Sequence, residues 1–348
     1  MILSEKTKHL LNLLYADAFA YQETLADQLE HMNLPASRQN IGKHIDQLEK
    51  GNFIRYGIIE NPNVHDVRTF FIEIKTNPEE PEIVSRINAI ARVRSIDGII
   101  GQNSLVVKIC TRNDQQFTAI LKQIDEIITG TRFQHYKVIN CLKTFKDGGR
   151  TLVISDGDDA AAGAVAPEFD SIDELLLDTM QNTTPREGVL AERMSYTWIH
   201  EHTLPQLPSL TYDQVRRRVD AMIEARLIDT FTIKVSPVLI PQTDFPLKFY
   251  LQILPKRLSE YDAIAAETLA PKDEIVELYR TGEEYGLYAV ARTESIAGYR
   301  EFLESLYKTG KVQDTISTLV IDEKLPAIFK PFRGRTRPSP GAAFIERS

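Results

Sequence analysis

"SRQNIGKHIDQLEKGNFI", residues 37–54, has a counterpart in "TYDQVRRRVDAMIEARLI", residues 211–228, and the offset is constant along both stretches. In the first, Ile41, Ile45 and Leu48 fall at i, i+4 and i+7; in the second, Val215, Val219 and Met222 take the same places. That spacing puts one apolar stripe on each helix. Ser37 and Thr211 stand where an N-cap oxygen accepts from free backbone N–H groups. An extended stretch comes after each helix, "FIRYGIIENP" and "LIDTFTIKVSP", rich in β-branched and aromatic residues and closed by proline. Two further helical segments precede each, at 4–15 and 21–32 in the first half and at 171–182 and 187–201 in the second. Three short helices and a β wing make a winged helix-turn-helix, and the chain carries it twice.

The segment after each wing repeats as well. The first half reads as strand 68–75, helix 80–91, strands 92–100 and 104–111, helix 114–128 and strand 133–145. The second reads as strand 247–254, helix 258–269, strands 274–281 and 286–293, helix 294–308 and strand 312–322. This βαββαβ order is the ferredoxin-like split unit. The expected fold class is therefore α+β, with two winged helix-turn-helix domains (1–64 and 170–240) alternating with two ferredoxin-like domains (65–146 and 241–326). An acidic Gly/Ala-rich linker is expected over 147–169 and a basic, disordered tail over 327–348.

The chain has 348 residues, enough for several domains. Its 43% hydrophobic and 26% charged content are those of a globular protein. No apolar run approaches the ~20 residues that span a bilayer, and "MILSEKTKHLLNLLYADAF" lacks the order of a signal peptide. A cytoplasmic protein without a membrane partner is the expectation. Cys110 and Cys141 are too few for a disulfide framework or a zinc site, so no metal and no cofactor are expected. A formal net charge of −8 argues against wholesale nucleic-acid binding but leaves room for a local basic face.

A winged helix-turn-helix followed by βαββαβ resembles the Lrp/AsnC family of leucine-responsive, feast/famine regulators, and the resemblance covers nearly all of 1–325. It implies a DNA-binding transcriptional regulator whose ferredoxin-like domains pair and whose small effectors, commonly amino acids, bind near the turn between the second and third strands. "LYRTGEEYGLYAVA", 278–291, resembles that family's Thr-Gly-x-x-Asp turn, with Gly286 near the place of the usual Asp. Thr281, Gly282, Glu283, Glu284 and Tyr285 are the effector-binding candidates, although plain hairpin chemistry accounts for the same residues.

A helix that enters a major groove must show polar side chains opposite its core stripe. Arg38, Gln39, Asn40, Lys43 and Lys50 meet this condition in the first half, and Gln214, Arg216 and Arg217 in the second. A solvated helix face explains the same residues. The second helix is the more charge-balanced, with Asp213, Asp220 and Glu224 among its arginines. The basic tail, "RGRTRP", is a further candidate for a minor groove.

The expected function is sequence-specific regulation of transcription by a covalent pseudo-dimer, on double-stranded DNA, with intrachain pairing of the ferredoxin-like units and further homo-oligomers. No catalytic residue is expected, and the chain is read as not an enzyme. Two alternatives stand beside it. One is a fused protein similar to the sirohaem decarboxylases, whose chemistry calls for converging His and Arg; His135, His200 and His202 are the nearest candidates. The other is an effector-binding protein that no longer binds DNA.

Overall fold

A computed structural model describes residues 3–64, 67–77, 82–152, 169–181 and 193–333. The first half begins with α1 (Glu5–Ala16), α2 (Gln22–His31), α3 (Arg38–Lys50) and β1 (Ile54–Glu60). It continues with β2 (Arg68–Ile74), α4 (Glu82–Asn88), β3 (Val93–Ile99), β4 (Leu105–Thr111), α5 (Asp114–Ile128), β5 (Tyr136–Asp147) and β6 (Arg150–Thr151). The second half has α6 (Ser171–Gln181), α7 (Tyr196–Thr203), α8 (Tyr212–Glu224) and β7 (Ile228–Val235). Then come β8 (Leu247–Pro255), α9 (Tyr261–Ala263) with a π-helical continuation at Ile264–Leu269, β9 (Ile275–Thr281), β10 (Leu287–Thr293), α10 (Ile296–Lys308) and β11 (Val312–Glu323). The fold class is α+β, with winged helix-turn-helix and ferredoxin-like architecture in each half.

The two expected recognition helices form as their stripes require. Ile41, Ile45 and Leu48 are buried on α3, as are Val215, Val219 and Met222 on α8. Ser37 Oγ accepts from the Asn40 amide, and Thr211 forms a full capping box with Gln214. The expected helix 187–201 is observed as α7 from Tyr196; residues 182–192 lie outside the described ones.

The wings do something no single unit could. β1 does not stay with its own helices alone: it pairs antiparallel with β7, from Ile54↔Val235 to Glu60↔Ile228, as a two-stranded ribbon. Each first helix then reaches the other half. Thr232 Oγ1 donates to Tyr15 O (2.7 Å), and Gln181 Nε2 donates to Ile58 O (3.1 Å). Phe19 stacks on Phe231 at 3.7 Å, and Arg193 donates to Ala18 O and Ala20 O. One apolar core runs through both helical bundles and the ribbon.

The two ferredoxin-like sheets, in the orders β5-β2-β4-β3 and β11-β8-β10-β9, join edge to edge through β3–β11 and β5–β9. The result is a closed eight-stranded antiparallel barrel, which leaves no open edge among these strands. Period-two alternation sends one face of each sheet outward to its own helices: Ile72, Ile74, Val107 and Ile109 to α4 and α5, and Phe249, Leu251 and Ile253 to α10 and the 261–269 segment. Phe71, Val106, Tyr250, Tyr279 and Tyr288 pack on the inner side.

Within 147–169, residues 147–152 complete β5 and form β6, while 153–168 lie outside the described residues. In 327–348, Ala327 bridges to Val235 and Phe329 and Phe332 are buried; Arg335, Arg337 and Arg347 fall outside the described residues.

Candidate functional site

On α3 the polar face is free. Arg38, Gln39, Asn40, Lys43 and Lys50 are all exposed. Among the described residues no side-chain hydrogen bond or ion pair engages Arg38, Gln39, Lys43 or Lys50; the amide of Asn40 serves the Ser37 cap. Such a face offers charge and amide groups to a partner without first breaking internal bonds.

On α8 the equivalent face is largely committed. Gln214 Oε1 accepts from the Thr211 amide at 2.9 Å, closing the capping box. Arg216 lies 3.8 Å from Asp220, whose other bond comes from the Tyr196 hydroxyl at 2.6 Å. Arg218 bridges Asp170 (3.0 Å) and Asp173 (2.9 Å). Arg217 remains exposed.

The 281–285 turn satisfies itself. The Thr281 amide donates to Gly286 O and its hydroxyl to Tyr285 O (3.2 Å). Tyr285 donates to Asp314 at 2.5 Å, a bond that pushes the phenol up to about 12. Glu283 lies 3.3 Å from Lys137 of the other half, while Gly282 and Glu284 are exposed. Gly286 is explained by packing: a Cβ there would lie 1.9 Å from the Arg280 guanidinium, which stacks 3.8 Å over Tyr261. The arginine–tyrosine stack fills the space a side chain would need.

The histidines do not converge. His200 bonds Leu210 O, His202 bonds Trp198 O and stacks on Trp198, and His135 is exposed.

Sequence reasoning missed the polar interior of the barrel. Lys108 bonds Asp147 (2.9 Å) and Glu277 (3.0 Å); Lys248 bonds Asp97 (2.7 Å), which also accepts from Tyr250; Arg292 pairs with Glu323. Burial opposes the charge on Lys108, but Asp147 and Glu277 outweigh it and raise the ammonium above its ordinary range. Asp97 goes the other way: burial lifts its carboxyl despite Lys248. The Lys108–Glu277 and Lys248–Asp97 pairs each join one half to the other. The signal was a single charge inside each apolar strand, as in "SLVVKICT" and "LKFYLQIL", where alternation alone predicts apolar residues on a covered face.

Where the barrel end meets the wing ribbon there is a cavity with ≈ 70 Å³ of room for water-sized groups, lined among others by Lys108, Lys248, Arg94, Lys234 and Glu60. Among the described residues no cluster of His, Cys, Asp and Glu is arranged to hold a metal ion, and no helix is long and apolar enough to cross a membrane.

No family model and no curated protein sequence matches the chain. Among solved structures it is similar to siroheme decarboxylase NirDL, with a TM-score of 0.55, 10% identity and 94% of both chains covered. The same decarboxylase in complex with an iron-uroporphyrin III analogue matches at 0.54 with the same identity and coverage. AsnC of E. coli matches at 0.35 and 21% identity, covering 47% of this chain and 99% of its own. The match to NirDL runs through both units of the chain and shows a shared fold. The expectation of a non-enzyme has to be corrected. The whole two-unit architecture is one that an enzyme, NirDL, also has, so helix-turn-helix units give no ground for excluding catalysis.

Proposed function

We propose that this chain is a sequence-specific regulator that binds double-stranded DNA as a covalent pseudo-dimer. The observation that carries this reading is the unengaged polar face of α3, set on a helix whose opposite stripe is fully buried. Arg38 and Lys43 suit phosphates or guanine edges, and Gln39 and Asn40 suit adenine. With Gln214 held in its capping box and Arg216 3.8 Å from Asp220, the two halves make unequal contacts. The bound site is then asymmetric, one half read through bases and the other through backbone or shape. Selection of duplexes from a random pool at a fixed salt concentration, followed by footprinting, tests this. Two unlike half-sites protected on one face of the DNA are expected. A perfect palindrome read by α3 from two separate chains rejects the pseudo-dimer, and no enrichment rejects DNA binding.

The full-length likeness to NirDL favours a second reading, a tetrapyrrole-modifying enzyme. In it the cations at the barrel end would receive the carboxylates of the substrate. The cavity there is far smaller than a tetrapyrrole, so the wing ribbon would have to lift. Absorbance titration with iron-uroporphyrin III tests it: a saturable shift of the Soret band is expected, and an unchanged spectrum rejects it.

A further inference from the structure

Lys234 sits on β7 beside a missing side chain. Gly57 of β1 has no Cβ, and one placed there would lie 2.5 Å from Cε of Lys234, so the glycine gives the lysine its path across the ribbon. The ammonium ends at the barrel-end cavity, where it donates to Gln181 O at 2.5 Å. It has no ion pair among the described residues. Arg94, on β3, lines the same cavity with a side chain 10% exposed. Its nearest carboxylate oxygen among the described residues, on Asp178, is 3.7 Å away, and its buried Nη1 has no hydrogen-bond partner among them. Arg55 stands directly opposite Lys234 in the ribbon register, and its buried Nε is also without a hydrogen-bond partner among the described residues. Like charges facing each other across a strand pair are destabilising. Of the acids at the cavity, Asp147 and Glu277 are held by Lys108, and Glu60 lies 3.0 Å from Arg112, although its Oε1 accepts no hydrogen bond among the described residues.

We propose that Lys234 and Arg94 form a binding site for a small oxyanion, of the size of phosphate, bicarbonate or a short carboxylate, at the joint between the wing ribbon and the barrel. Two convergent cations with unused donors in a partly enclosed space are what such an anion needs, since charge-assisted bonds are strongest where water is scarce. The cavity has room for a group of this size and not for a large effector. Its walls come from β1, β7, the end of α6, the barrel and residues 326–328, so an anion there ties the helix-turn-helix pair to the barrel. The site does not use the α3 face; it shares the barrel-end cations with the tetrapyrrole reading, which the Soret titration tests separately.

The test is thermal unfolding of the full chain in sodium phosphate, sodium bicarbonate or sodium acetate, with ionic strength held constant by sodium chloride. A saturable rise in melting temperature is expected for at least one of them, of about 2 °C or more at a hundredfold excess over Kd. Arg94→Gln and Lys234→Met should each weaken that anion's binding about tenfold, while Arg300→Ala, an exposed control, leaves it unchanged. Lys234→Met keeps the stem that lies over Gly57. A second measurement needs no variant. The Lys234 ammonium, followed by NMR of labelled lysine in the parent chain, should titrate at a higher pH when the anion is saturating. No saturable shift with any of the three anions overturns the site, as does a shift kept by both variants or a Lys234 titration that ignores the anion.

Discussion

α3 and α8 occupy equivalent places and bury equivalent stripes, yet their outer faces have diverged. Lys43 corresponds to Arg217, His44 to Arg218, Asn40 to Gln214 and Lys50 to Glu224. In α3 Asn40, Lys43 and Lys50 are exposed and the lysines have no ion pair among the described residues; in α8, Gln214 caps the helix and Arg218 clamps the start of α6. A helix whose outer residues hold its own domain together has fewer donors to offer a ligand. The same divergence appears one step along the chain. Glu60 on β1 corresponds to Lys234 on β7, but Glu60 is paired with Arg112 while Lys234 is not paired among the described residues.

The largest effect expected from this difference is on stability. Arg218→Met should cost about 2 kcal/mol, because it leaves the buried Asp173 carboxylate without its cation. His44→Gln, at the equivalent place on α3, should shift the urea midpoint far less. Equal losses in the two variants would mean that α8 is not specially clamped.

DNA affinity comes next. Lys43→Ala should weaken binding about tenfold and lower the salt slope by roughly one unit if it meets a phosphate. Arg217→Ala should weaken it by a smaller factor, as measured by fluorescence anisotropy on the selected duplex at several salt concentrations. The opposite ranking would assign the stronger half-site to α8.

The wings respond to pH. Burial, aided by Arg94, pulls Lys234 down to about 7. Between that value and the ordinary lysine range the unfolded chain binds the extra proton and the folded chain does not. Stability therefore rises with pH through this window, and below it the cost of the buried ammonium is fully present. The gain should be on the order of 1 kcal/mol after allowance for the half-buried position of the side chain. Lys234→Met should flatten the curve of unfolding free energy against pH between about 7 and 10.

The smallest effect concerns the turns after the two helices. Asn52 and Arg226 are equivalent, and both have left-handed backbone, with φ of 53° and 57°. Asparagine accepts that region more readily than arginine. Arg226→Asn should raise stability by about 0.5 kcal/mol, and Asn52→Arg should lower it by about as much, read as paired shifts in melting temperature.

Much of the fold was legible in the chain itself. The i, i+4, i+7 stripes, the Ser37 and Thr211 caps and the period-two strands act over a few residues, so they specify α3, α8 and the βαββαβ order directly. The 281–285 turn was legible as a turn for the same reason. Its self-satisfied bonds were not, because Lys137 and Asp314 come from distant strands.

What sequence alone determined is the kind and order of the elements and the fact that they repeat, since periodicity and capping are properties of neighbouring residues. Only the tertiary structure decided how the two copies meet. The ribbon of β1 and β7 and the closed barrel arise because each half leaves strand edges that the other can pair, and no local pattern says which edge will be chosen. The same holds for the charges. Lys108, Lys248 and Lys234 look like exceptions within apolar strands until the other half supplies Glu277 and Asp97 for the first two. For Lys234 it supplies the Gly57 path and, in Arg94, a second cation; such neighbours are fixed by distance in space and not by separation along the chain.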